Sequence, residues 1–396
     1  MKVLLNIESL AAPLSGIGTY TYNLANQLNP HKAISSMVLF TRNGWRVQEN
    51  TATDQAHLGT APTGVRSVLR RLPLSYAVRD RVIGFRLRMA KFAQRGYIYH
   101  EPNYIPVPYE GPSVVTISDL SHIHYPHFHP RERVRRLERN LAPAVANAAQ
   151  VICHSRFVKA EILEHLGVGE DKVNVVYLGV APEYCPRSPQ EVGPVLARHG
   201  LEAGRYVLSV ATIEPRKNLR SLIHGYRRLP ASLRREYPLI LVGQKGWLTR
   251  STEEAMAPLM AEGTLRWLGH LPFAELAPVY AGAGAFAYLS LYEGFGLPII
   301  EAMATGIPVL CSNRAAMPEV AQDAALLVDP LAIEEIAQGL ERLLTDIELR
   351  ARLSDAGLTR ARDFSWESSA HDTIEVYRKA LRPSRELPLP AQAAGI

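Results

Sequence analysis

The sequence predicts an α/β molecule, two Rossmann-like parallel-sheet domains facing each other across a central cleft. Two observations carry that expectation. Short apolar runs alternate with longer stretches of helical period along the chain, the pattern of strands buried on both faces and wound with helices. The series halts at a Pro-marked stretch, with Pro182, Pro186, Pro189 and Pro194, and then restarts. Length agrees, since 396 residues at about 150 per domain accommodate two large domains or three ordinary ones.

In the first half, Lys2 to Ile7, Ser36 to Phe40, Ser113 to Ile117, Gln150 to Cys153 and Asn174 to Tyr177 read as strands. The opening segment carries one positive charge and breaks at Asn6 and Glu8, too short for a secretory leader, so it reads as a buried strand. In the second half the strands are Arg205 to Ala211, Pro238 to Gly243, Thr264 to Leu268, Ala285 to Leu291 and Ile307 to Cys311. After Phe364, Ser365 can cap a helix whose Trp366, Ala370, Ile374, Tyr377 and Leu381 follow the helical period, and the tail is rich in Pro and Ala. The expected division is an N-terminal domain over 1–181, a linker over 182–204, a C-terminal domain over 205–364, a terminal helix over 365–382 that packs back on the N-terminal domain, and a mobile tail over 383–396. Doubly wound sheets bind ligands at the carboxyl ends of their strands, so the cleft between the domains is the expected site.

Composition narrows the class. A 47% hydrophobic and 21% charged chain can build full cores, which excludes wholesale disorder. Cys153, Cys185 and Cys311 stand too far apart for a zinc spacing and are odd in number, which points to a reducing compartment. The uncharged, Ala- and Gly-rich run Leu276 to Tyr292 holds 17 residues and Pro278, short of the roughly 20 that cross a bilayer.

The densest signal is Tyr292-Glu293-Gly294-Phe295-Gly296-Leu297-Pro298-Ile299-Ile300-Glu301-Ala302. A predicted strand ends at Leu291, a glycine loop follows, and Pro298 can open a short helix that Gly306 closes. Free amides and the helix dipole there favour a phosphate, while Glu293 and Glu301 can accept hydrogen bonds from sugar hydroxyls on either side of it. Arg216 and Lys217 follow another predicted strand and can neutralise a leaving diphosphate. Gly16 and Gly18 follow the first strand, but Thr21 stands where a dinucleotide fingerprint has its third glycine, which weighs against a nicotinamide cofactor. No Asp-x-Asp pair occurs to hold a divalent ion, and the histidine run at His122, His124, His127 and His129 lacks cysteine and the spacing of a metal cluster, so no metal is expected.

Glu293 and Glu301 in that setting, followed by Glu-Ala-Met-Ala-Thr-Gly-Ile-Pro-Val, resemble the signature of retaining GT-B glycosyltransferases. More narrowly, the chain is similar to the glycogen-synthase-like family 4, which includes bacterial mannosyl- and rhamnosyltransferases. Further matching blocks are Gly16-Ile17-Gly18, Val210 to Leu219, Leu241 to Trp247 and Pro318-Glu319-Val320, so the likeness runs from Met1 to about Leu381. It implies a nucleotide-diphosphate sugar as donor, a GDP-sugar by preference, and no cofactor. By position it assigns Glu293 to the transferred sugar, Glu301 to the ribose, Arg216 and Lys217 to the diphosphate, and Gly16, Gly18, Gly294, Phe295, Gly296 and Leu297 to the donor. The family usually has a histidine before Asp119, whereas this sequence has Ser118; Asp119, His122 or His124 are the candidates to replace it, His122 preferred. Retention by same-face attack, with the leaving phosphate taking the proton, requires no enzymic nucleophile.

Between Gly64 and Arg95 lie nine basic residues and one acid, Asp80, interleaved with apolar side chains. That segment accounts for more than the whole net charge of +6. It reads as a cationic amphipathic surface for an anionic membrane, which would bring the enzyme to a lipid-linked saccharide acceptor. No nucleic-acid-binding module surrounds it. The expectation is therefore a cytoplasmic hexosyltransferase peripheral to the inner face of the membrane and acting in lipopolysaccharide, O-antigen or other surface-polysaccharide synthesis. A phosphorylase or nucleotide-sugar epimerase on the same fold, and a non-catalytic partner of another transferase, remain as alternatives.

Overall fold

A computed structural model describes residues 1–10, 16–41, 44–48 and 96–382. The segment 64–95 and the tail 383–396 lie outside the described residues. The first sheet contains β1 (Lys2–Asn6), β2 (Ser36–Thr41), β3 (Gly44–Gln48), β4 (Tyr97–Glu101), β5 (Ser113–Ile117), β6 (Gln150–Cys153) and β7 (Val173–Val175) in the order β3-β2-β1-β4-β5-β6-β7. All neighbours are parallel except β2 and β3. The second sheet contains β8 (Val207–Val210), β9 (Leu239–Val242), β10 (Leu265–Trp267), β11 (Ala285–Tyr288), β12 (Val309–Ser312) and β13 (Leu326–Val328) in the order β10-β9-β8-β11-β12-β13, wholly parallel. Chain order reverses between β1 and β4 and again between β8 and β11. Those are the two switch points at which an open sheet presents a ligand crevice.

Three strands had no clear sequence signal. β13 has three residues, and β3 is an antiparallel edge strand. β4 lies at the centre of its sheet yet contains His100 and Glu101, both buried. His100 bonds Tyr377 Oη (2.7 Å) and Thr116 Oγ1 (2.8 Å), and Glu101 accepts from Asn6 Nδ2 and Tyr99 Oη, both at 2.6 Å. A polar pair can sit inside a sheet when each group is satisfied in this way.

The segment 182–204, expected as a linker, carries the helix Pro189–Arg198. Ser188 and Glu191 form a reciprocal capping box, and Pro189 takes the first helical position, where no amide partner is needed. Its Val192 and Leu196 are buried in one core with Tyr206 and Tyr280. The helix Trp366–Ala380 crosses back to the first domain and packs on the helix Gly16–Leu28, on β5 and on β6.

Candidate active site

The carboxyl ends of β8 and β11 supply the cationic half of the site. β8 runs through a short loop into one turn of 3-10 helix, Pro215–Lys217, after which Asn218 adopts φ +53° and starts the helix Leu219–Arg227. The Asn218 amide donates to Leu289 O (3.1 Å) and Pro330 O (2.7 Å), and Leu291 N donates to Arg216 O (2.9 Å). These bonds lash the turn to the loop after β11. The strand ends at Tyr288, earlier than the Leu291 expected, and the released residues let Glu293 face both cations. Lys217 Nζ lies 2.6 Å and Arg216 NH1 3.0 Å from the same oxygen, Glu293 Oε1. Lys217 also donates to Tyr288 Oη (2.9 Å), and Arg216 to Glu214 Oε1 (2.9 Å) and Tyr292 O (2.8 Å).

Glu293 is 8% exposed. Burial would raise its pKa, but the charges of Arg216 and Lys217 outweigh burial and hold it below the usual carboxylate range. Burial likewise opposes the Lys217 cation, and the Glu293 charge overcomes it, so the ammonium is held above its ordinary value. The result is a buried cluster ionised at neutral pH.

Across the cleft, Asp119 follows β5 and accepts from Ser121 N (3.0 Å) and Ser121 Oγ (2.7 Å). Burial pushes its carboxyl up, but the Arg216 charge and those two bonds win and bring it down to about 2. Arg216 is thus the counter-charge of both Asp119 and Glu293. His122 is 4% exposed and its Nδ1 meets no partner among the described residues; burial pushes the ring down to about 4, so it is neutral. The other histidines of the run disperse: His124 pairs with Glu161 (2.7 Å), His127 is exposed, and His129 bonds Ser121 Oγ (2.9 Å). Among the described residues no three metal-ligating side chains gather to hold an ion.

The remaining sequence candidates divide. Gly16 is exposed at the head of the helix Gly16–Leu28, and Gly18 is buried in its first turn. Gly296 has φ +107° and precedes the helix Leu297–Ala304, with Pro298 in its first turn. Gly294 meets the opposite domain. A Cβ there would stand 1.8 Å from Ser118 O, so its bareness admits the opposite domain. The Phe295 ring is turned into the core against Phe364, 5.5 Å between centroids. Leu297 also packs on that core. Glu301 has Tyr280 (2.9 Å) and Tyr184 as partners; burial pushes its carboxyl up to about 7 against those hydrogen bonds.

Sequence reasoning missed the residues that hold the two halves together. Tyr292 Oη accepts from Leu120 N (2.9 Å) and donates to Glu161, and Ser155 Oγ donates to Gly294 O (2.8 Å). The Glu319 carboxylate accepts from Arg156 N (2.8 Å), Phe157 N (3.0 Å) and Tyr177 Oη (2.8 Å) in the opposite domain. Trp247 Nε1 donates to Phe128 O. Glu319 lay inside a recognised block, but nothing local marked the tyrosines, which are equally common as core residues.

Residues 14–184 match Glycosyltransferase Family 4, and residues 197–360 match Glycosyl transferases group 1. The chain is 36% identical over 380 residues to the O-antigen chain mannosyltransferase B of Escherichia coli, covering 96% of this chain and 100% of that protein. Among solved structures, sucrose-phosphate synthase from Thermosynechococcus elongatus superposes with a TM-score of 0.72 at 19% identity, over 96% of this chain and 98% of that one. Anabaena HepE in complex with UDP-glucose superposes with a TM-score of 0.67 at 17% identity, over 96% and 99%. The last two show the fold. With a full-length relative at that identity and both doubly wound sheets in place, the chain belongs to the GT-B glycosyltransferases of family 4 and is a hexosyltransferase.

Proposed function

We propose that this enzyme transfers mannose, with retention, from GDP-mannose to a lipid-linked saccharide during O-antigen or related surface-polysaccharide synthesis. The observation that carries the reading is the pair of cations on one oxygen of Glu293 at the carboxyl ends of β8 and β11. A diphosphate entering there replaces Glu293 as their counter-charge and releases its carboxylate to accept a sugar hydroxyl. The cations then stabilise the charge that grows on the leaving phosphate, where preorganised groups act most strongly. Asp119 stays held by Arg216, and the released Glu293 is engaged by the sugar hydroxyl; neither is left as a free nucleophile, which favours same-face attack with the leaving phosphate taking the proton. The relative's name supports mannose and the O-antigen chain, and the UDP-glucose complex of HepE supports a nucleotide-diphosphate sugar. Rhamnose is the second sugar to test.

Turnover of GDP-mannose by purified protein with a lipid-linked acceptor, and an α-linked product by NMR of the anomeric proton, are the expected results. A β-linked product would exclude retention, and preferential use of UDP-glucose would exclude the donor. No helix among the described residues is long and apolar enough to cross a membrane. Peripheral attachment through 64–95 predicts co-sedimentation with phosphatidylglycerol vesicles but not with phosphatidylcholine vesicles.

A further inference from the structure

Asp119, Ser121 and His129 form a chain of hydrogen bonds whose directions follow from proton counting. Ionised Asp119 can only accept, and it takes both the amide and the hydroxyl hydrogen of Ser121. The one hydroxyl proton of Ser121 is then committed. The 2.9 Å contact between Ser121 Oγ and His129 Nε2 must therefore be donated by the histidine. Burial and the adjacent Arg133 push this ring down to about 4, so it carries a single proton, and that proton is on Nε2. His129 Nδ1 is left as a bare lone pair.

That lone pair has no partner among the described residues, and His129 is only 8% exposed. Buried acceptors are nearly always satisfied, so an orphan at a cleft points to a ligand that supplies the donor. His129 lies at the domain junction: the Trp247 ring of the opposite domain is 6.5 Å away, and Arg216 acts on both His129 and Asp119.

We propose that His129 Nδ1 is a saccharide-binding acceptor, taking a hydrogen bond from a hydroxyl of a sugar held in the cleft, with Asp119 and Ser121 fixing the tautomer that makes it an acceptor. The inference rests on the glycosyltransferase reading of the site. The hydroxyl belongs to the transferred sugar or to the acceptor saccharide, and the recognition chemistry is the same for both.

Two variants separate this role from a structural one. His129→Gln keeps an amide near the Nε2 position, able to donate to Ser121, and has nothing at Nδ1. His129→Asn places its carbonyl near Nδ1 and gives up the Ser121 bond. With GDP-mannose and the lipid-linked acceptor, the glutamine variant is expected to lose roughly ten- to hundredfold in kcat/KM and the asparagine variant to retain most of it. If acceptor-independent hydrolysis of GDP-mannose is unchanged in the glutamine variant, the hydroxyl is the acceptor's; if hydrolysis falls in parallel, it is the donor sugar's. Wild-type activity in the glutamine variant, or equal loss in both, overturns the proposal. A second readout does not depend on turnover. Nitrogen-15 NMR of the wild type should show His129 protonated on Nε2, with Nδ1 shifting when GDP-mannose or methyl α-mannoside is added; a proton on Nδ1, or no response to either, overturns it. Failure of the wild type to turn over any nucleotide sugar would instead remove the functional reading, and the tautomer measurement would still decide on His129.

Discussion

Arg216 and Lys217 converge on a single oxygen of Glu293, and that sharing defines the chemistry of individual residues here. Lys217→Met should reduce transfer by about a hundred- to a thousandfold while circular dichroism stays native, since it removes one preorganised charge from the leaving group. Glu293→Gln is expected to be inactive and less stable by about 3 kcal/mol, because removing one partner leaves buried cations uncompensated. Its signature is the ligand response. GDP should raise the melting temperature of Glu293→Gln more than that of the wild type, since the diphosphate restores the missing negative charge. An equal or smaller shift would place the diphosphate elsewhere. The types and order of these residues were legible, because a strand end followed by basic residues and a strand end followed by a glycine loop are local patterns. Their convergence on one oxygen was not, because 76 residues separate the two loops and only the β8–β11 pairing brings them together.

At the scale of elements, the terminal helix Trp366–Ala380 is held to β4 by one buried bond, His100 to Tyr377, spanning 277 residues. Tyr377→Phe should therefore cost about 1–3 kcal/mol, measured by urea denaturation, as it strands a buried ring nitrogen. Burial and the neighbouring His154 push His100 from 6.5 to about 3. The unfolded chain then takes up a proton that the native state refuses. The stability this histidine lends is present above pH 6.5 and is lost as pH falls toward 3. Between pH 6.5 and 4 the melting temperature of the wild type should drop more steeply than that of His100→Gln; parallel curves would show that His100 does not titrate in this way. Tyr-Ile-Tyr-His-Glu escaped recognition as a central strand because its polar groups find their partners on other elements. The helix, by contrast, was readable from Ser365 and its apolar period, since capping and periodicity act locally.

Across the whole molecule, closure of the cleft depends on contacts between backbone and side chains of opposite domains. Glu319 caps the amides that open the helix Arg156–Leu166, and Gly294 lies against Ser118 O. Glu319→Ala should shift the protein toward an open form, seen as a larger radius of gyration by small-angle X-ray scattering and as a raised KM for the donor. An unchanged radius and KM would mean the cap is dispensable. Gly294→Ala should lower kcat at least tenfold, because its methyl group holds the Glu293 loop away from the Asp119 loop.

The fold class, the family and the residues of the catalytic loops could be read from the chain because each rests on short-range order: strand runs, a glycine loop, a proline-opened helix. The helix within 182–204, the central β4, the packing of Phe295 into the core, the contact that makes Gly294 glycine, and the tautomer of His129 could not. Each depends on which distant group comes within hydrogen-bonding or van der Waals distance, and that is settled when the sheets form and the two domains meet.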